Sequence, residues 1–265
     1  MSEDQLLHDH GVFAYSSRNK IARITFERPK NYNTLTHEVI NEMQRVLELI
    51  ARDESINVLV IASRGKAFCT GHDIKEMNLR KDEKFYRDLL YQCSKMMQQL
   101  LSLPQPVIAQ VQGIATAAGC QLVATCDLAL ASKDARFATN GIDNGLYCAT
   151  PSVALSRVVS RKHSLEMLLT GDFITADRAA EIGLVNRVVE PGQLESEVTN
   201  LAMRLAEHPR KLLARGKASF YRQLNEPLDV AYEGTSDDLV CNLLEDVGQE
   251  GLRAFVEKRK PSWKS

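Results

Sequence analysis

The chain has 265 residues, 44% of them apolar and 25% charged, enough to bury a large core and incompatible with a disordered tail or a disulfide mini-protein. Its 33 Lys+Arg against 34 Asp+Glu leave a formal charge of -1, so there is no excess positive charge to release counterions from a nucleic-acid backbone. No apolar run approaches the roughly 20 residues that span a bilayer, so a membrane is not an expected partner. The six cysteines are scattered without a CxxC or Cys/His spacing, which argues for buried thiols and against staples or a metal site.

In chain order, MSEDQLLHDH has neither the Arg-rich character of a transit peptide nor the apolar run of a secretory signal. The expected location is cytoplasmic, with the mitochondrial matrix open if a transit segment has been removed. IARITFE at 21–27 alternates like a half-buried strand, and NVLVIA at 57–62 reads as a fully buried one. Between them, Thr36 can cap a helix whose apolar face is Val39, Ile40, Met43, Val46, Leu47 and Ile50. Phe85, Leu89, Cys93, Met96 and Leu100 predict a second helix, ended by Pro104 and Pro106 before the strand-like VIAQV at 107–111.

The elements then shorten. GIATAAG at 113–119 is a small-residue turn, followed by a helix over 118–124 and an apolar run at 128–131. A helix near 163–169 stops at Thr170-Gly171, Thr175 can cap another, and LVNRVV at 184–189 is a late strand. From 195 on only helix is expected. This is an α/β core over 1–194 with a helical C-terminal region over 195–265 packed outside it.

Two small-residue turns each link a buried strand to a helix: Phe68-Cys69-Thr70-Gly71-His72-Asp73 and Gly113-Ile114-Ala115-Thr116-Ala117-Ala118-Gly119-Cys120. Such turns let a ligand approach the main chain, and unpaired N–H groups at a helix start attract negative charge; equally, small residues permit close helix–sheet packing. There is no GK[ST] of a P-loop, no GxGxxG and no GxSxG elbow. Asp73 is expected to cap the following helix, and Asp127 to stabilise a strand end.

Read with RPKNYNTL at 28–35, KAFCTGHDIKEM at 66–77, PVIAQVQGIATAAGCQLVATCDLALAS at 106–132, LEMLLTGDFITADRAAEIGLVNRVV at 165–189 and AFVEKRKPSW at 254–263, the chain resembles the enoyl-CoA hydratase/isomerase (crotonase) superfamily. The resemblance implies a crotonase-like spiral of β-β-α units forming two roughly perpendicular sheets. It also implies C-terminal helices that mediate a homotrimer or dimer of trimers, and a coenzyme A thioester as substrate or ligand, with no other cofactor. It places main-chain oxyanion donors at His72 and Ala118. Coenzyme A contacts fall at Lys66, Ala67, Phe68 and Thr70, with phosphate contacts at Lys75 and, from a neighbouring subunit, Lys258; Arg28 and Lys30 are weaker candidates. Tyr147 and Cys148 fall in the region lining the acyl site.

The resemblance breaks at the two glutamates that a hydratase uses to hold water. Their positions are Gln121 and Gly141, neither of which can carry a proton near neutral pH. Asp143 and the His72 ring are the candidate substitutes, with structural roles as the alternatives. Ordinary hydration is therefore expected to be weak or absent. What remains is another enolate-stabilising reaction or a silent acyl-CoA binder. The basic stretch EKRKPSWK at 257–264 lacks the interleaved aromatics of an RNA-binding stripe.

Overall fold

The computed structural model describes residues 5–9 and 12–263. The N-terminal stretch read for a targeting signal lies largely outside the described residues. The large sheet begins with an antiparallel meander, β1 (Gln5–Asp9), β2 (Phe13–Arg18) and β3 (Ile21–Phe26). It continues in parallel through β4 (Val58–Ser63), β6 (Val107–Val111), β8 (Leu128–Ser132) and β11 (Arg187–Val189). A smaller sheet is formed by β5 (Ala67–Cys69), β7 (Ile114–Thr116) and β9 (Arg136–Ala138) in parallel, with β10 (Ile174–Thr175) antiparallel at its edge. Each turn of the chain thus lays one strand in the large sheet, the next in the small sheet, then crosses back by helix. This is the β-β-α spiral of the expected α/β fold.

The helices form where the apolar spacing required them. α1 (His37–Arg52) is capped by Thr36, whose hydroxyl accepts from Val39 N–H at 3.3 Å, and it buries the six residues read from its periodicity. α2 (Ile74–Leu79) starts at Asp73, which accepts from Glu76 N–H at 3.0 Å. α3 (Glu83–Ser102) buries Phe85, Leu89, Cys93, Met96, Met97 and Leu100. α4 (Ala118–Thr125) is buried along its whole length, since it lies inside the spiral. After a short 3-10 turn over Asn140–Asn144 come α5 (Ala149–Val158), α6 (Arg161–Thr170), closed by Gly171 at φ 73, and α7 (Ala176–Glu181), capped by Thr175.

The remaining helices are α8 (Leu194–Ala206), α9 (Arg210–Gln223), α10 (Leu228–Leu244) and α11 (Asp246–Val256). The division expected at 194/195 falls at the first turn of α8, and α8 does not pack outside the core. Its Leu194, Val198, Ala202 and Ala206 share an apolar cluster with Val58, Val60, Ile108 and Leu130, while Leu59, Ile61, Val107 and Ala109 point to the other face of the sheet. Strands covered on both faces read as unbroken apolar runs, which is why 57–62 looked fully buried. The chain beyond Arg210 is the part that lies outside these clusters.

That outer part is clamped to the core by Asp127, as a strand-end residue with more partners than expected. Asp127 accepts from Val107 N–H at 2.6 Å, from the Tyr221 hydroxyl at 2.7 Å and from Lys217 Nζ at 2.6 Å. Lys217 also donates to the carbonyls of Leu100 and Gln105, at the C-terminal end of α3 and in the loop after it, at 2.8 and 3.0 Å. Its side chain is only 6% exposed, so removing the charge leaves a carboxylate and two carbonyls without their partner. Lys217→Met is expected to destabilise the protein by about 3–5 kcal/mol, as broken buried ion pairs do. Urea unfolding at neutral pH measures it.

Candidate functional site

The two turns read from the sequence become neighbours because β5 and β7 pair in parallel, with Ala67 opposite Ile114 and Cys69 opposite Ala115. Both chains therefore leave the small sheet at the same end, where ligands gather in parallel sheets. Contact is direct: Gly71, at φ 86, sits so close that a Cβ there would lie 3.0 Å from Ala118 N and 3.0 Å from the Ala117 Cβ.

Neither of the two expected N–H donors has an acceptor among the described residues. Leu35 bridges to His72 in parallel, with Leu35 N–H donating to Gly71 C=O at 2.8 Å and Asp73 N–H donating to Leu35 C=O at 3.2 Å. In such a bridge the middle residue's own N–H points away from Leu35. Ala118 is the first residue of α4, where no intrahelical acceptor exists and no side chain caps. The residue before it, Ala117, is held at φ 47 and ψ -119, a region that non-glycine residues enter at a cost of about 1–3 kcal/mol and that clusters at functional sites.

The glycines of the second turn serve packing. A Cβ on Gly113 would be 2.1 Å from Lys66 C=O, and one on Gly119 would be 1.9 Å from Cys69 C=O. Small residues here let the second turn and α4 seat directly on β5, and that seating brings the two turns into contact.

The carboxylate of the first turn, Asp73, is committed to capping α2. Burial lowers the His72 imidazole from 6.5 to about 4, so it is neutral at pH 7, and its enclosed Nε2 has no partner. Gln121, one turn into α4, is 5% exposed with Oε1 unpartnered. Position 141 is closed as well as empty: a Cβ on Gly141 would lie 2.4 Å from Leu146 C=O and 2.9 Å from Cys148 Sγ. Asp143 is exposed, and its Oδ1 would be 3.2 Å from a Cβ on Gly171; it stands against the end of α6 and bonds to neither turn. Cys148 is buried and its thiol is pushed up by burial, which makes a thiolate scarce, while Tyr147 is 51% exposed. Among the described residues no group of three His, Cys, Asp or Glu could hold a metal ion.

The segment expected to meet coenzyme A is heavily used by the protein itself. Phe68 puts its ring in the core against Phe26, so only its main chain faces outward chemistry. Ala67 C=O accepts from Asn33 Nδ2 at 2.8 Å, Gln112 Nε2 at 3.0 Å and Ser63 Oγ at 3.2 Å, which exhausts its lone pairs. Lys66 C=O accepts from Ile114 N–H, and Thr70 N–H donates to Tyr32 C=O. The Lys66, Lys75 and Lys258 side chains are exposed, Lys258 at the end of α11. Asn33 was missed by the sequence reading: 1% exposed at φ 54, it straps the 28–33 turn onto β5. Thr139, following β9, was missed too; it is fully buried with an unpartnered hydroxyl.

A spiral of β-β-α units whose two small-residue turns meet at one end of the small sheet defines a class. The family model described as enoyl-CoA hydratase/isomerase matches residues 16–265, and the chain belongs to that family. It is 43% identical over 243 residues to the mitochondrial enoyl-CoA hydratase domain-containing protein 3 of Xenopus laevis, covering 92% of this chain and 83% of the relative. The crystal structure of the human protein of that name superposes with a TM-score of 0.93 at 41% identity, over 95% of this chain and 100% of that one. That of an enoyl-CoA hydratase from Mycobacterium smegmatis gives 0.94 at 44%, over 96% and 99%.

The buried imidazole makes stability depend on pH with a defined sign. Between pH 6.5 and about 4 the unfolded chain binds a proton that the folded one refuses, so the contribution is complete above 6.5 and is lost as pH falls towards and through 4. Wild type is expected to lose up to ~3 kcal/mol more than His72→Asn between pH 7 and pH 4. Denaturant titrations at both pH values compare them.

Proposed function

We propose that this chain binds a coenzyme A thioester with its carbonyl oxygen between the main-chain N–H groups of His72 and Ala118, and stabilises the enolate formed there without performing ordinary hydration. The observation that carries the proposal is the pair of acceptor-less N–H groups on adjoining strand ends, joined through the Gly71 contact. Preorganised donors are worth about 3 kcal/mol each to a developing oxyanion, and an unpartnered N–H in a buried turn costs free energy unless something accepts from it. Lys66, Ala67, Phe68, Thr70, Lys75 and, across subunits, Lys258 are the proposed coenzyme A contacts.

The loss of proton carriers supports the rest. Two general acid–base groups worth about 100-fold or more each are replaced by an amide and by nothing, so hydration of crotonyl-CoA is expected to be at least ~10,000-fold slower than in a two-glutamate hydratase. Asp143, turned to the end of α6, gains no support as a substitute, and the low imidazole value makes His72 a weak base. A second reading, a catalytically silent acyl-CoA binder, is favoured by the low imidazole value of His72 and by the commitment of the Asp73 carboxylate to the cap of α2. The vertebrate relatives are named as mitochondrial proteins, which supports the mitochondrial alternative over the cytoplasmic one.

The exposed apolar side chains of the C-terminal helices, among them Phe220, Leu228, Tyr232, Leu244 and Phe255, support assembly as a homotrimer or dimer of trimers.

Calorimetry with crotonyl-CoA tests the binding, and mass spectrometry over enoyl-, malonyl- and hydroxyacyl-CoA tests turnover. Gly71→Ala, which forces a Cβ towards Ala118 N, is expected to weaken crotonyl-CoA binding at least tenfold in protein that keeps its circular dichroism. No binding by wild type would sink the proposal; binding without product from any conjugate would leave the silent binder. Gln121→Glu is expected to fold and still not hydrate. Gly141→Glu is expected to lower the melting temperature, because its Cβ has no room beside Leu146 and Cys148.

A further inference from the structure

The end of α11 is built around one carboxylate. Lys258 N–H donates to Phe255 C=O at 3.2 Å and Arg259 N–H to Ala254 C=O at 3.0 Å, the paired bonds of a Schellman stop. The left-handed position of such a stop ordinarily takes glycine; here it is Lys258, at φ 52. Glu250, about two turns back on the same helix, holds the chain beyond it. Its Oε1 accepts from Arg259 Nη1 at 2.6 Å and from Ser262 N–H at 2.7 Å, and its Oε2 accepts from Arg259 Nη2 at 3.0 Å. Arg259 Nε donates to Glu257 at 2.6 Å. The Arg259 guanidinium, and after it the Ser262 N–H, lower the Glu250 carboxyl to about 2, so the clamp is fully charged at neutral pH. Arg259 thus takes both nearby carboxylates, and the exposed Lys258 side chain pairs with neither.

We infer that Glu250 is a positioning residue: by holding Arg259 and Ser262 it fixes the turn in which Lys258 meets the phosphates of a coenzyme A conjugate bound to a neighbouring copy of the chain. This rests on the coenzyme A reading and adds to it the group that prepares the phosphate contact. The reason is conformational. A lysine is a mobile point charge, and a side chain disfavours the left-handed backbone that the stop requires. Without the clamp, only the two main-chain bonds of the stop hold that conformation. Binding draws on the fraction of molecules in the held turn, so apparent affinity falls with that fraction. A two-pronged guanidinium–carboxylate pair fixes direction as well as distance, which an ammonium in place of Arg259 does not. The sign of the effect separates positioning from charge. Removing the Glu250 charge makes the region more positive, which by long-range attraction alone strengthens binding of a phosphate-bearing ligand. Loss of positioning weakens it.

The test is calorimetry of the full chain with crotonyl-CoA and with crotonyl-pantetheine, which carries no phosphate. Glu250→Gln is then compared in wild-type and Lys258→Met backgrounds with crotonyl-CoA. Wild type is expected to bind crotonyl-CoA more tightly than crotonyl-pantetheine. Glu250→Gln is expected to weaken crotonyl-CoA binding by about fivefold or more in the wild-type background, and by less than about twofold where Lys258 is already Met. Unchanged or tighter binding by Glu250→Gln overturns the inference and leaves the thioester reading standing. So does a loss of equal size in the Lys258→Met background, which a general disturbance of α11 would give. Wild type that binds the two conjugates equally also overturns this inference alone, whereas binding of neither conjugate overturns both. If Glu250→Gln does not fold, Arg259→Lys replaces it, keeping the charge and losing the two-pronged geometry. The same loss is then expected, and an unchanged affinity overturns the inference.

Discussion

The parallel pairing of β5, β7 and β9 is the constraint on which the site depends. These strands are three residues each, too short to be stable alone, and they persist because the spiral presses the second turn and α4 directly onto β5. The approach is limited by main-chain atoms: Gly113 against Lys66 C=O and Gly119 against Cys69 C=O leave no space for a methyl group. Everything functional follows from that closeness. Two strand ends meet, Ala117 is held at positive φ in the junction, and the N–H groups of His72 and Ala118 are left without acceptors. The alternative readings of the small residues, packing or ligand approach, therefore describe one arrangement.

The chemistry of the site is set by what it lacks. Family membership brings the scaffold, within which Gln121 is a buried amide and the surroundings of Gly141 have closed over it. The 3-10 turn from Asn140 to Asn144 and the segment through Cys148 fill the volume a side chain would need, so the change is built into the local backbone. Burial then depresses the one imidazole nearby. What remains are two main-chain N–H groups without acceptors at the turns and the buried, unpartnered oxygens of Gln121 and Thr139.

Away from the site, stability divides between apolar and ionic devices. The large sheet is covered on both faces, with α8 closing the second, so its strands need no polar residues for solvent. The outer helices bury few side chains of their own and are held instead by Asp127, which gathers Lys217, Tyr221 and the main chain of β6 into one satisfied cluster.

Much of this was legible along the chain. The long helices α1 and α3 announce themselves because one face repeats at 3.6 residues, and the caps at Thr36, Asp73 and Thr175 because a short oxygen-bearing side chain precedes each run. The two small-residue turns were visible for the same local reason. Strands of two or three residues such as β7, β9 and β10 carry no period, and α8 looks like any amphipathic helix until the sheet face it covers is known. Thr139 is one threonine among several, and Ala117 one alanine in a run. Residue types and spacings are properties of the chain, so the sequence by itself determined the helices and the turns. Which polar atoms end up enclosed without partners, and which turns come into contact, depends on distances between segments far apart in the chain, and those only the packed tertiary structure could decide.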